Sequence, residues 1–308
     1  MALNEILIEF SRQSGASGSH AYLLLDGAHH EGANFHLDRS GIAYESLFEG
    51  YAEAAFPEIA PLLVQVSGLN EPQLDSLTSW AMDLGLQFPT LSWMGSSLAA
   101  PVLASHLRLF HSVGLSDNQR MLMRWYDTRI LPIWIAALNR EQLDLFSSPL
   151  TSLSYLNRFG EVTHLDLGTS KPHRVLAPSG GRPLIALDDR QYAMLVEAST
   201  LDTLIQHLRN IIKDETNQIT NRLLTEFVAK YQQRAIAAGL DDINRQTQYL
   251  LLALYTSGAG VEHPACRDLM QSPPVRFEDF FERMQQLPDA AWEMGPPLWG
   301  ENPEDVLS

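Results

Sequence analysis

The chain has 308 residues, 45% of them hydrophobic, which is enough material for two modest domains or one large domain with an appendage. Its 37 acidic against 21 basic residues leave a formal charge of −16. With no cluster of Lys and Arg to serve as a phosphate footprint, no nucleic-acid partner is expected. A single cysteine, Cys266, excludes an internal disulfide and a cysteine-rich metal site.

No run of apolar residues is long enough to span a bilayer, so no membrane insertion is expected. The first residues lack the basic region of a secretory signal, which makes cytoplasmic residence the expectation. The acidity itself has two readings, solubility or complementarity to a basic client, and composition does not choose between them.

In chain order, apolar spacing predicts a helix over 3–12, a Ser/Gly loop over 14–19, and a strand over 22–25 ending in an Asp26-Gly27 turn. The stretch after it holds His29, His30, Glu31, His36 and Asp38. Adjacent side chains rarely converge on one ion, so a polar loop and no metal site are expected there. A helix is expected near 42–54, a strand over 62–66, and a helix over 71–84 whose acidic start suits the positive helix end. A short strand over 90–94 leads to a helix over 97–111.

Met121, Leu122, Met123, Trp125 and Tyr126 then read as a strand that turns at Asp127 into a helix with Ile130, Leu131, Trp134 and Leu138 at helical spacing. Arg124, Asp127 and Arg129 sit at that corner, and charges so near a core strand are expected to pair with one another or with backbone groups. Short strands over 153–157 and 162–165 complete a mixed sheet.

Residues 168–183 carry turn and linker chemistry. Beyond them the period becomes helical. Asp188 or Asp189 can cap a helix carrying Leu195, Leu201, Leu204, Ile205, Leu208 and Ile212. A second helix bears the stripe Ile219, Leu223, Phe227, Val228, Tyr231 and Ala235 and ends at Gly239; a third starts at Asp241 or Asp242 and runs through Tyr255. The fold class is therefore α+β: a mixed α/β N-terminal lobe with a short-stranded sheet over 1–180, and an all-α C-terminal lobe over 181–308. From Leu287 onward there is no Lys or Arg, but four prolines and two tryptophans, Trp292 and Trp299. That segment reads as a strap whose tryptophans fill grooves or as a docking tail, and both tryptophans are candidates for partner binding.

The best enzymatic signal is Gly95-Ser96-Ser97-Leu98-Ala99, between a strand and a helix, where Ser97 would be the nucleophile of an elbow. Asp166, Asp188 or Asp189 with His207 or His263 would have to complete a triad. The structural reading makes Ser96 or Ser97 the cap of the following helix. His106 flanks the stripe Leu103, Leu107 and Phe110 and reads as a structural histidine. Cys266 beside His263 reads as a small buried apolar residue. Ser179-Gly180-Gly181-Arg182-Pro183 lacks the Gly-Lys-Ser/Thr of a phosphate loop, and no dinucleotide fingerprint is present, so no cofactor is expected.

Five short motifs in order carry a family resemblance. They are the strand from Tyr22 through Asp26-Gly27, the stretch from Tyr44 through Leu47 to Gly50, the strand beginning Ala60-Pro61, Ser105-His106-Leu107-Arg108, and the corner with Arg124, Tyr126, Asp127 and Arg129. Together they resemble the domain of adaptor chaperones in the bacterial type VI secretion system, over about residues 20–160. Thr128 departs from the family, which usually has proline there; proline would fix φ at the first helical position, and Thr can occupy it.

The resemblance implies a non-enzyme that loads an effector toxin encoded nearby onto the VgrG spike protein, with the motif residues structural or at an interface and none catalytic. It also implies that the first lobe meets VgrG, leaving the helical lobe and tail for the effector. A serine hydrolase using Ser97 is the alternative, and a scaffold subunit with no client is a third.

Overall fold

The computed structural model describes residues 3–16, 18–30, 32–117, 119–168 and 183–300, and the chain divides into two units, 1–195 and 196–308. The first unit is built on the apolar run from Ala21 to Leu25, every residue of which is buried. An uninterrupted run of that kind needs cover on both faces of its strand. In order come α1 (Leu3–Ala16), β1 (His20–Asp26), α2 (Ala33–Arg39), β2 (Tyr44–Ser46), β3 (Pro61–Gln65), α3 (Glu71–Gln87), β4 (Leu91–Ser96) and α4 (Ala100–Arg108). They are followed by β5 (Ser112–Gly114), β6 (Arg120–Leu122), α5 (Leu131–Ala137), α6 (Arg140–Ser147), β7 (Leu150–Leu156), β8 (Val162–His164) and β9 (Ile185–Ala186).

Six strands form one sheet in the order β2-β3-β1-β4-β7-β8, with every neighbouring pair antiparallel. Helices α1 and α3 pack together and against β1 and β4, while α4 packs against β2 and β3. A second sheet has the order β6-β5-β9, in which β9 runs parallel to β5.

Several local expectations are corrected. Residues 42–54 are not a helix: the backbone of Tyr44–Ser46 pairs with β3, and the chain then turns into 3-10 segments at Ala52–Ala55 and Pro57–Ile59. Gly50, at φ +88°, takes a left-handed conformation that interrupts any helix there. The polar stretch after β1 holds α2 rather than only a loop. Of 121–126, only the first residues are strand; from Met123 the chain turns toward α5. Helix α6 went unpredicted, although Asn139 and Gln142 form a reciprocal capping box that the sequence displays.

The first unit extends beyond residue 180. Val113 pairs with Ile185, and Gln191 donates from Nε2 to the Ala137 carbonyl at 2.8 Å, which ties 183–195 to it. Residues 169–182, most of the expected linker, lie outside the described residues.

The division falls within α7 (Asp189–Ile211). The second unit continues with α8 (Lys213–Thr216), α9 (Asn221–Ala237), α10 (Ile243–Tyr255), α11 (Pro264–Gln271), α12 (Phe277–Gln285) and α13 (Asp289–Trp292). Its own core includes Leu204, Leu208, Leu224, Phe227, Leu250, Leu254 and Phe280. Helix α9 closes as predicted at Gly239, where the Leu240 N–H returns to the Ala235 carbonyl, and Asp242 caps α10 by accepting from the Arg245 N–H at 2.9 Å.

Trp292 and Trp299 are half-buried against this core. Trp299 meets the Tyr255 ring edge-on at 5.0 Å, so within 289–300 the segment lies as a strap. Residues 301–308 lie outside the described residues.

Arg245 is a buried cation that sequence reasoning missed. It is 4% exposed, bonds to Asp241 and Asp242, and donates from Nη1 to the Pro274 carbonyl at 3.0 Å, fixing the turn between α11 and α12. Arg245→Met keeps much of the apolar stem but strands that carbonyl. A loss of about 1–2 kcal/mol is expected, read as a fall in Tm. An unchanged Tm would show that the turn needs no such tether.

Candidate functional site

The resembling motifs meet chiefly at the C-terminal end of β1. Asp26 is held there by its backbone: its N–H donates to the Thr90 carbonyl at 2.9 Å and its carbonyl accepts from Thr90 Oγ1 at 2.6 Å. The Asp26 side chain is fully buried, with Oδ1 accepting from the Ala28 N–H at 3.1 Å and Oδ2 from Arg124 Nη2 at 2.7 Å. Asp127, 3% exposed in its side chain, accepts from Arg129 at both oxygens: Nε to Oδ1 at 3.0 Å and Nη2 to Oδ2 at 2.7 Å. Arg124 Nη2 also stands 3.8 Å from Asp127 Oδ2, so one guanidinium joins the two carboxylates.

Two buried acids are thus matched by two arginines that still reach solvent, at 36% and 29% exposure. This arrangement neutralises the interior while hydrating the cations. Burial works against the charge on Arg124, but Asp26 and then Asp127 outweigh it and hold the guanidinium above its ordinary range. Tyr126, buried beside them, has its phenol pushed up by burial and then by Asp26, so it stays protonated.

Gly27 follows because the turn runs against the β3 approach. Its N–H donates to the Ala60 carbonyl at 3.2 Å, and a Cβ would strike that same oxygen.

A second group of motif residues fastens the β2–β3 connection. The buried Leu47 donates its N–H to the Pro61 carbonyl at 2.9 Å, and Gly50 supplies the left-handed turn. Arg108 closes the connection from α4: Nε donates to the Ser46 carbonyl at 2.9 Å, and Nη2 pairs with Glu45 at 3.3 Å and with Glu49. The remaining two residues act elsewhere. Tyr22 donates its hydroxyl to the Leu98 carbonyl, with its pKa raised to about 12 by burial. His106 Nε2 lies 3.0 Å from the Phe146 carbonyl.

Ser97 is exposed in the bend after β4 and caps nothing. Ala99 stands at the N-cap of α4, and the Ser96 hydroxyl donates to the Pro149 carbonyl at 2.7 Å. The helix starts later than expected because Pro101 suits its first turn. Of the acids nominated beside Ser97, Asp188 accepts from the Gln191 N–H, Asp189 from Ser116 and Asp166 from the Gly168 N–H. His207 and His263 belong to the second unit.

A serine–histidine contact that sequence reasoning missed joins Ser154 Oγ to His164 Nδ1 at 2.8 Å across β7 and β8. Ser154 is 4% exposed, and among the described residues no carboxylate bonds to His164. Cys266 is buried, with its thiol pushed up to about 11 by burial, and His263 Nδ1 accepts from the Ala265 N–H at 3.2 Å. His36 stacks on Trp80 at 4.0 Å, and the described residues contain no group of three or more potential metal ligands. No helix among them is long and apolar enough to cross a membrane.

Thr128 lies in the turn ahead of α5 and not at its first position. Its N–H donates to the Pro89 carbonyl at 3.2 Å, a bond proline would remove, while its buried Oγ1 has no partner.

Removing one acid from the corner leaves an arginine facing a buried void. Asp127→Ala is expected to cost about 3 kcal/mol, the lower end for a buried pair because both arginines reach water. Melting temperature and soluble yield check this. Wild-type melting with lost partner binding would move Asp127 from scaffold to interface.

No curated protein and no solved structure matches the chain. Residues 21–145, from β1 into α6 and spanning every motif of the corner and of the β2–β3 connection, match the family model described as Domain of unknown function (DUF4123).

Proposed function

We propose that the chain is a cytoplasmic, non-catalytic adaptor that binds a type VI secretion effector and loads it onto the VgrG spike. The observation that carries this reading is a coincidence of extent. The motifs resembling those adaptors and the match to DUF4123, a family known generally for effector adaptors, fall on the same stretch of the first unit. The chemistry of the site supports it as well. The polar motif side chains are engaged in ion pairs or bonds to backbone carbonyls, and the nominated acids serve local turns and caps.

An adaptor needs surface rather than a reaction. A specific complex buries on the order of 1,200–2,000 Å² in total, a small part of the 15298 Å² this chain exposes. A formal charge of −16 favours clients with basic surfaces and makes association faster at low salt. Common machinery is expected to meet the shared domain, so VgrG is assigned to 1–195. The effector is assigned to 196–308, with the half-buried Trp292 and Trp299 contributing their outer edges.

The test is co-expression of the full chain with the VgrG and toxin encoded beside its gene, followed by co-purification and cross-link mapping. Stable complexes are expected, with toxin cross-links in 196–308. Failure to hold either partner would sink the reading, and toxin cross-links confined to 1–195 would reverse the assignment. Ser97→Ala should leave both complexes intact and change stability by no more than about 0.5 kcal/mol, since the side chain is exposed and caps nothing. Covalent capture of Ser97 by a fluorophosphonate probe would instead favour the hydrolase.

A further inference from the structure

His111 lies between α4 and β5 with its side chain 3% exposed, yet neither ring nitrogen makes a well-formed hydrogen bond. Buried polar atoms are normally satisfied, so an orphaned imidazole calls for a physical reason. The nearest charge is the Glu53 carboxylate, whose Oε2 stands 3.2 Å from Nε2. Glu53 belongs to the 3-10 segment Ala52–Ala55 within the β2–β3 connection and is 38% exposed.

The same connection has a second, neutral tether beside the first. The Tyr51 hydroxyl donates to the Arg108 carbonyl at 2.7 Å, and its ring packs on His111 with centroids 4.4 Å apart. Phe48 covers another side of the imidazole at 5.2 Å. The other charges facing this pocket are Arg120 of β6, which opposes a second cation, and Arg108, whose guanidinium is taken up by Glu45 and Glu49. Beyond the tethers the connection carries Phe56, an aromatic ring 55% exposed.

We propose that His111 and Glu53 form a proton-operated latch on the β2–β3 connection, in which charging the buried imidazole loosens the segment bearing Phe56 and the Glu53 carboxylate limits that loosening. With the ring neutral, the segment is held by Tyr51 and by packing. With the ring protonated, a cation is enclosed by the Phe48 and Tyr51 rings of that same connection, which favours release, and the partly exposed Glu53 carboxylate facing Nε2–H offsets part of that cost. Proton binding and opening favour one another by the same factor.

Burial lowers the pKa of His111 and Glu53 only partly restores it, so the latch releases below the usual imidazole range. The consequence for global stability has the same sign. The unfolded chain, with a histidine pKa of about 6.5, takes up the proton before the folded one does. The contribution of neutral His111 to stability is therefore present above that value and lost as pH falls toward the folded pKa. Acidification loosens this connection and mildly weakens the whole.

The experiment follows the His111 ring signal by NMR in the full chain and, in parallel, amide exchange over residues 51–59, for wild type and Glu53→Gln at matched pH. Glu53→Gln should lower the His111 midpoint by about half a unit or more, equivalent to roughly threefold in the closing equilibrium. It should speed exchange of the segment by a similar factor below the midpoint and leave it unchanged well above. Comparison at matched pH cancels intrinsic exchange chemistry. An unaltered midpoint, or an exchange ratio that is constant across pH, overturns the latch. His111→Phe is a second arm in which the pH dependence of the ratio should vanish. Should that variant fail to fold, the surface substitution at Glu53 still decides the question.

Discussion

The first unit depends on neutralising two carboxylates at the end of its central strand. β1 is apolar from Ala21 to Leu25 and terminates in Asp26, whose side chain is fully buried. A carboxylate cannot remain ionised there unpaired, so the chain must bring a cation to it from another part of the sequence. Arg124 arrives from 98 residues away, and its own position is fixed through Asp127 and Arg129 at the turn into α5. The ion cluster is therefore a clasp between the first strand of the sheet and a corner formed much later in the chain. The neighbouring constraints follow from it: Thr90 anchors the Asp26 backbone, and Gly27 lets the chain pass under Ala60.

How much of this was legible depended on whether the determining contact is local. The pairing of Asp127 with Arg129 could be anticipated because the partners are two positions apart and neither could be buried alone. The bond from Asp26 to Arg124 could not, since no periodicity relates residues on a strand to residues in a distant turn. The stretch 42–54 shows the same limit. Its composition suits a helix, but β3 offers its backbone partners, and tertiary pairing overrides propensity in so short a segment. Helices α9 and α10 were legible because Gly239 and Asp242 punctuate them within a few residues of their apolar stripes. His111 and Arg245 carried no sequence signal, because what defines both is burial against partners supplied by other elements or turns.

The same division separates what the motif residues do from what a partner can touch. Tyr22, Asp26, Leu47, His106, Tyr126 and Asp127 are buried, and Arg108, Arg124 and Arg129 spend their guanidinium groups on ion pairs within the unit. A motif of this kind specifies a fold and leaves its outer surface free to vary. The large apolar side chains that remain exposed, Phe35, Phe56 and Val275 among them, lie outside the motif set. Affinity in protein interfaces concentrates in a few well-packed anchors rather than spreading over area. If the chain carries clients, the anchors must come from such residues, and the resemblance in the motifs is silent about them. Two chains could share the whole corner and grip unrelated partners, because the clasp sets where the surface stands and not what the surface is.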